Sequence, residues 1–202
     1  MDLGLRDKVA VITGGSVGIG LAVAKALAAE GVHIVMAARN AERLEKARIE
    51  VASVAESRAV AVACDVATPA GVAATIVTAK TEFGGADILI NNAGTGSNET
   101  IMNAADDKWQ YYWNLRVMAA LRLARGLVPS MRRRGGGVIL NNASICATQP
   151  LWYEPIYNVT KAALVMLSKN MAAEFIKDGI RVNAINLGFV LTPRIGSTRR
   201  HS

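Results

Sequence analysis

The sequence predicts an α/β domain built on a doubly wound parallel sheet of six strands. Three observations carry that expectation. Apolar runs of strand length alternate with amphipathic helical patterns along nearly the whole chain, the order expected of strand-helix-strand units. A glycine-rich turn falls between the first apolar run and the first helical pattern, where such a turn joins a strand to a helix. The chain has 202 residues, 51% of them hydrophobic and 19% charged, which is the length and balance of one folded domain.

Residues 9–13 read as a buried strand, and 18–29 as the helix that it feeds. Residues 33–38 give a second strand, followed by a charged amphipathic helix over 41–56. A third strand spans 59–64, and the helix over 69–83 begins with Pro69 in its first turn, where proline is favoured. The fourth strand is 87–90. A long helix is expected over 106–134, ended by Gly135, Gly136 and Gly137. The fifth strand is 138–141, and a further helix over 155–177 ends at Gly179 before a sixth strand at 180–185. Right-handed crossovers on such a sheet place a ligand at the carboxyl ends of the strands.

Composition excludes several function classes. No apolar run reaches the roughly twenty residues of a membrane span, and the first eight residues lack a signal-peptide core, so a cytoplasmic protein without a membrane partner is expected. Cys64 and Cys146 have no His or Cys at ligand spacing, so no metal site is expected and each reads as a structural thiol. The net charge of +7 is densest at Arg132, Arg133 and Arg134 and again at Arg194, Arg199 and Arg200. The first cluster sits where a helix ends, which the helix dipole favours. No nucleic-acid-binding motif accompanies either cluster, so no nucleic-acid partner is expected.

Residues 13–20, Thr-Gly-Gly-Ser-Val-Gly-Ile-Gly, supply tight backbone turns and a helix N-terminus with unpaired N–H groups, which suits the pyrophosphate of a dinucleotide. The acid that would bind a ribose 2′-hydroxyl about twenty residues later is absent, and Arg39 stands there. A guanidinium can fork onto a 2′-phosphate, which favours NADP(H) and leaves NAD(H) as the alternative cofactor. The plainer reading of Arg39 is a solvated side chain at a helix start. Farther on, Tyr157 and Lys161 are separated by four residues and share one helix face. An ammonium beside a phenol favours the phenolate, which is expected to bring Tyr157 toward a working acid or base. Ser144 follows the fifth strand, where its hydroxyl can meet a carbonyl oxygen.

These motifs, in this order, resemble the short-chain dehydrogenase/reductase family of the common single-domain type. The resemblance runs over residues 5–193. It includes the glycine turn, Asp65 and Val66, the Asn91-Asn92-Ala93-Gly94 run, and Ser144, Tyr157 and Lys161. It implies a Rossmann fold and an oxidoreductase that transfers a hydride between NADP(H) and a small carbonyl or secondary alcohol substrate. Asn114, Ser144, Tyr157 and Lys161 would be catalytic. Tyr157 would be the acid or base, Ser144 would hold the oxygen, Lys161 would lower the Tyr157 pKa, and Asn114 would hold a water. Cofactor contacts are implied at Gly14, Ser16, Gly18, Ile19, Gly20, Arg39, Asp65, Val66, Asn92, Ala93, Gly94, Tyr157, Lys161, Gly188, Val190 and Thr192. Ile145, Trp152 and Tyr153 would line the substrate side.

The sequence departs from the family at Leu187, where proline usually precedes Gly188, and at Val17, where NADP-preferring members commonly have a basic residue. It also stops short of the family's substrate lid and seventh strand, so that residues 1–193 are expected to form the domain and 194–202 a polar, Arg-rich tail. Truncation is the favoured explanation, with a short form completed by homo-oligomerisation, as a dimer or tetramer, as the other. The alternative function is accordingly a catalytically weak nucleotide-binding relative that acts through oligomer formation.

Overall fold

A computed structural model of the chain describes residues 2–192; the tail expected over 194–202 lies outside the described residues. Six strands form one sheet in the order β3-β2-β1-β4-β5-β6, with every neighbouring pair parallel. The strands are β1 (Val9–Thr13), β2 (His33–Ala38), β3 (Ala59–Ala63), β4 (Ile88–Asn91), β5 (Gly137–Asn142) and β6 (Ile180–Ile185). The order reverses between β1 and β4, which opens the crevice where ligands bind in a doubly wound sheet.

All five residues of β1 are buried, because helices cover both faces of the central strands. Alternation sorts its side chains: Val9 and Val11 join one core with Leu123, Leu127 and Phe175, while Ala10 and Ile12 join a second with Ala24, Leu44 and Val51. The second core lies under α1 (Gly18–Ala29) and α2 (Ala41–Ala52). The first lies under α3 (Pro69–Phe83), the α4 (Asp106–Trp113) to α5 (Ala119–Arg133) run and α6 (Pro155–Phe175).

Two elements differ from the sequence expectation. α2 stops at Ala52 because the chain beyond it turns back to the sheet, where the Ser57 hydroxyl donates to the Ala28 carbonyl at 2.9 Å and the Arg58 N–H to His33 Nδ1 at 3.1 Å. The long helix is not continuous α-helix: Asn114–Met118 forms a π-helical stretch between α4 and α5. The wider turn changes the phase of the helix, and Leu115, Arg116 and Val117 are all buried there.

Two of the three arginines at the end of α5 are paired. Arg132 meets Asp178 at 2.7 Å, and Arg134 bonds Asp87 at 2.8 Å and donates to the Phe83 carbonyl at the end of α3. Among the described residues, no helix is long and apolar enough to cross a membrane, and no three His, Cys, Asp or Glu residues are grouped to hold a metal ion.

Candidate active site

The site begins at the carboxyl end of β1. Gly14 turns the chain with a φ of 69°, and a Cβ there would meet Asn92 Nδ2 at 2.9 Å and Ala93 Cα at 3.0 Å. Gly18 opens α1 without a side-chain cap, whereas Asn40 and Thr68 cap α2 and α3 with their own oxygens. The first N–H groups of α1 are thus left for a ligand, and a pyrophosphate fits that donor set. Gly20 serves differently: a Cβ on it would lie 2.2 Å from the Gly14 carbonyl oxygen, so it packs helix against turn and stays outside the cavity lining.

Asparagines bind this turn to the rest of the sheet edge. Asn92 Nδ2 donates to the carbonyls of Thr13 and Gly14, at 3.1 and 3.2 Å, while its Oδ1 accepts from Asn142 Nδ2 at 2.8 Å. The Asn142 carbonyl in turn accepts from the Lys161 ammonium. Asn91 Nδ2 donates to Asn141 Oδ1 at 2.8 Å, and Asn141 Nδ2 to the Ser168 hydroxyl at 2.8 Å. A ladder of amides therefore runs from the glycine turn across β4 and β5 to Lys161.

One cavity of about 1580 Å³ gathers most of the residues that the sequence singled out. Gly14, Ser16, Gly18, Ile19 and Arg39 line one end, Asp65, Val66, Asn92, Ala93 and Gly94 its flank, and Ser144, Tyr157, Lys161, Gly188, Val190 and Thr192 the remainder. Arg39 donates to the Tyr111 hydroxyl at 2.9 Å, and that hydroxyl donates to Asp65 at 3.3 Å, so the guanidinium is held at the cavity rim. Asn114 is not in the lining; it is the first residue of the π-helical stretch. Ile145 and Tyr153 line the cavity as expected, but Trp152 does not: it is 80% exposed and packs edge-on against Tyr153 at 5.4 Å.

Ser144 is extended, with φ −162°, and its Oγ accepts from the Cys146 N–H at 3.2 Å. That bond uses an oxygen lone pair and leaves the hydroxyl hydrogen to donate toward the Tyr157 oxygen or another oxygen in the cavity. Cys146 is buried, as a structural thiol would be, and it also lines the cavity.

Tyr157 and Lys161 share a face of α6, with the Lys161 Nζ 5.4 Å from the phenol centroid. The electrostatics differ from the expectation that the lysine lowers the phenol. Burial holds the Tyr157 hydroxyl above its ordinary 10, and the Ser144 hydroxyl and the Arg116 guanidinium, which favour the phenolate, do not outweigh it. Lys161, 4% exposed, is itself pushed down to about 7, first by burial and then by Arg116. At neutral pH it is a partly charged amine, which weakens its pull on Tyr157.

Three residues that the sequence reading missed belong to this site. Arg116 is the one cation in the apolar run 115–121, and that interruption was the available signal. Glu154, 9% exposed, lines the cavity and accepts from the Ser97 N–H at 2.8 Å. Gln149 adds a second polar group there.

Comparison with known proteins follows the same outline. The family described as short chain dehydrogenase matches residues 8–202. L-Sorbose reductase from Gluconobacter frateurii, solved with NADPH and L-sorbose, is 64% identical with a TM-score of 0.96, over 98% of this chain and 75% of that one. The short-chain reductase protein NovJ of Streptomyces niveus is 34% identical over 190 residues, 94% of this chain and 72% of the relative. An NAD+-bound xylitol dehydrogenase is 29% identical with a TM-score of 0.90, over 96% of this chain and 75% of that one. Sequence pattern, sheet order and relatives agree, and the chain belongs to the short-chain dehydrogenase/reductase family of oxidoreductases.

Proposed function

We propose that the chain reduces a polyhydroxylated ketone with NADPH, and oxidises the corresponding secondary alcohol in reverse, with Tyr157 as the acid or base. The observation that carries the proposal is the single cavity joining the glycine turn and Arg39 to Ser144, Tyr157 and Lys161. The choice of NADPH is supported by Arg39 at the end of β2, with no carboxylate there to repel a 2′-phosphate, and by the NADPH bound in the 64% identical reductase. The substrate class is supported by the L-sorbose in that complex and by the carboxylate of Glu154 and the amide of Gln149 in this cavity, which suit hydroxyl groups.

Bound nicotinamide supplies the hydride. The protein's own part is to hold the oxygen and move a proton. Ser144 donates to the carbonyl oxygen with the hydrogen that its bond to Cys146 does not use. Tyr157, held above 10, stays protonated at neutral pH and so is loaded as the acid for reduction. Lys161, poised at about 7, can exchange a proton with solvent once the phenol has given up its own. Asn114, outside the lining, is assigned no contact with the reacting atoms.

The test follows NADPH consumption with L-sorbose and other ketoses, alongside Tyr157→Phe. The substitution is expected to cost at least about a hundredfold in kcat, the usual scale of a lost general acid, while NADPH still binds. Turnover that survives Tyr157→Phe would remove the phenol from the mechanism.

A further inference from the structure

Arg116 has no role in the reaction as described so far. It is 2% exposed, and it lies in the π-helical stretch beneath the active site. Its guanidinium carbon sits 4.6 Å from the Tyr157 ring centroid and 4.5 Å from that of Tyr112, so it is clamped between two phenol faces. One terminal nitrogen donates to the Thr160 hydroxyl at 2.8 Å and the other to the Thr95 carbonyl. Nε has no hydrogen-bond partner among the described residues.

Taking a guanidinium out of water costs several kcal/mol unless an anion compensates it, and both hydrogen-bond acceptors here are uncharged. Glu99 and Glu154 act on it only as background charges, and burial has drawn it down to about 10, still high enough to stay charged at neutral pH. Such a cation is under-compensated until one of the rings it touches becomes negative. Tyr157 becomes negative when its O–H bond breaks and the proton passes to the carbonyl oxygen, as hydride adds to the carbonyl carbon and the C=O π pair becomes the new O–H bond.

We infer that Arg116 is a positioning residue that holds down the proton affinity of Tyr157 against the burial that raises it, its guanidinium stabilising the phenolate over which it lies. The inference rests on Tyr157 being the acid. Among the described residues the charged and titratable groups around the phenol are Arg116 from the long helical run, with the Tyr112 ring also against its guanidinium, Lys161 and Glu154 from α6 and its start, and Cys146 from the turn after β5. Of the two cations, Lys161 is partly neutral near pH 7, whereas Arg116 is charged there, and a phenolate formed on Tyr157 favours its charged form further.

The experiment uses Arg116→Gln, which removes the charge and keeps an amide donor, and Arg116→Lys, which keeps the charge. In the cofactor-free protein, Tyr157 is titrated by tyrosinate absorbance as the difference from Tyr157→Phe. With cofactor, the pH profile of alcohol oxidation reports the same group as base. Arg116→Gln is expected to raise both midpoints by about one pH unit, as loss of a cation within about 5 Å of a phenolate does, and Arg116→Lys to restore at least half of that rise. Ketone reduction at neutral pH is expected to fall about three- to tenfold, with NADPH affinity within about threefold of wild type. A Gln variant with unmoved midpoints would overturn the inference. Should that variant not fold, Lys161→Met decides: with Arg116 as the controlling cation, the Tyr157 midpoint stays within about half a unit of wild type, and a rise of more than one unit would assign the control to Lys161 instead. Turnover that survives Tyr157→Phe would fail the proposed acid itself, whereas an inactive Tyr157→Phe with an unmoved Arg116→Gln would fail this inference alone.

Discussion

Lys161→Met is expected to stabilise the protein at low pH and to lose that advantage as pH rises. The buried ammonium is held at about 7, against an ordinary 10.5 in the unfolded chain. Between those values the unfolded state keeps a proton that the folded state has released, so wild-type stability rises with pH across this window. Below about 7 both states are protonated and the whole cost of the buried charge is present; above 10.5 it is gone. At about 1.4 kcal/mol per pH unit, the gap corresponds to roughly 5 kcal/mol as an upper limit. Methionine matches the stem but removes the titration, and it also forfeits the bond to the Asn142 carbonyl, which costs about 1–3 kcal/mol at every pH. The pH dependence therefore isolates the charge. Urea unfolding of both proteins should show the stability difference changing by about 2 kcal/mol between about pH 6.5 and about pH 8.5, with the variant favoured at the lower value. A difference that stays flat over that range would mean that Lys161 keeps its proton in the folded state, and the account of a partly neutral amine would fall.

Two further outcomes follow from the cofactor end of the cavity. Gly20→Ala places a methyl 2.2 Å from the Gly14 carbonyl oxygen, a backbone atom that has no rotamer to yield, and is expected to abolish NADPH binding or to destabilise the fold by about 2 kcal/mol or more, as read by fluorescence titration and thermal melting. Arg39→Ala should weaken NADPH by about ten- to a hundredfold and leave NADH within about threefold, because only one of them carries the 2′-phosphate; equal losses for both cofactors would show that Arg39 does not read that group.

Much of the fold could be read from the sequence because its signals are local. Apolar runs marked five of the strands and the apolar alternation of Ile180, Val182 and Ala184 the sixth, and the Thr68-Pro69 and Gly84 boundaries of α3 follow from capping chemistry alone. The π-helical stretch could not be read in the same way: its sequence, Asn-Leu-Arg-Val-Met, suits an α-helix, and only tertiary contacts with Thr95, Thr160 and Tyr157 fix Arg116 inward. The same division holds in the site. Tyr157 and Lys161 were paired by helical spacing, but their proton affinities are set by burial and by a cation forty-one positions upstream of Tyr157, which no spacing rule connects. Trp152 looked like a wall of the cavity from its neighbours in sequence, yet the turn before α6 directs it outward.

The amide ladder from Thr13 through Asn92 and Asn142 to Lys161 makes the distance between the two ends of the cavity a property of the sheet and not of its loops. A dinucleotide bound in one extended conformation has a definite reach from its phosphates to its reactive ring, and a scaffold with a matching span delivers that ring to the same place each time. The surrounding loops can then diverge to admit different substrates while the alignment of donor and acceptor carbon is preserved.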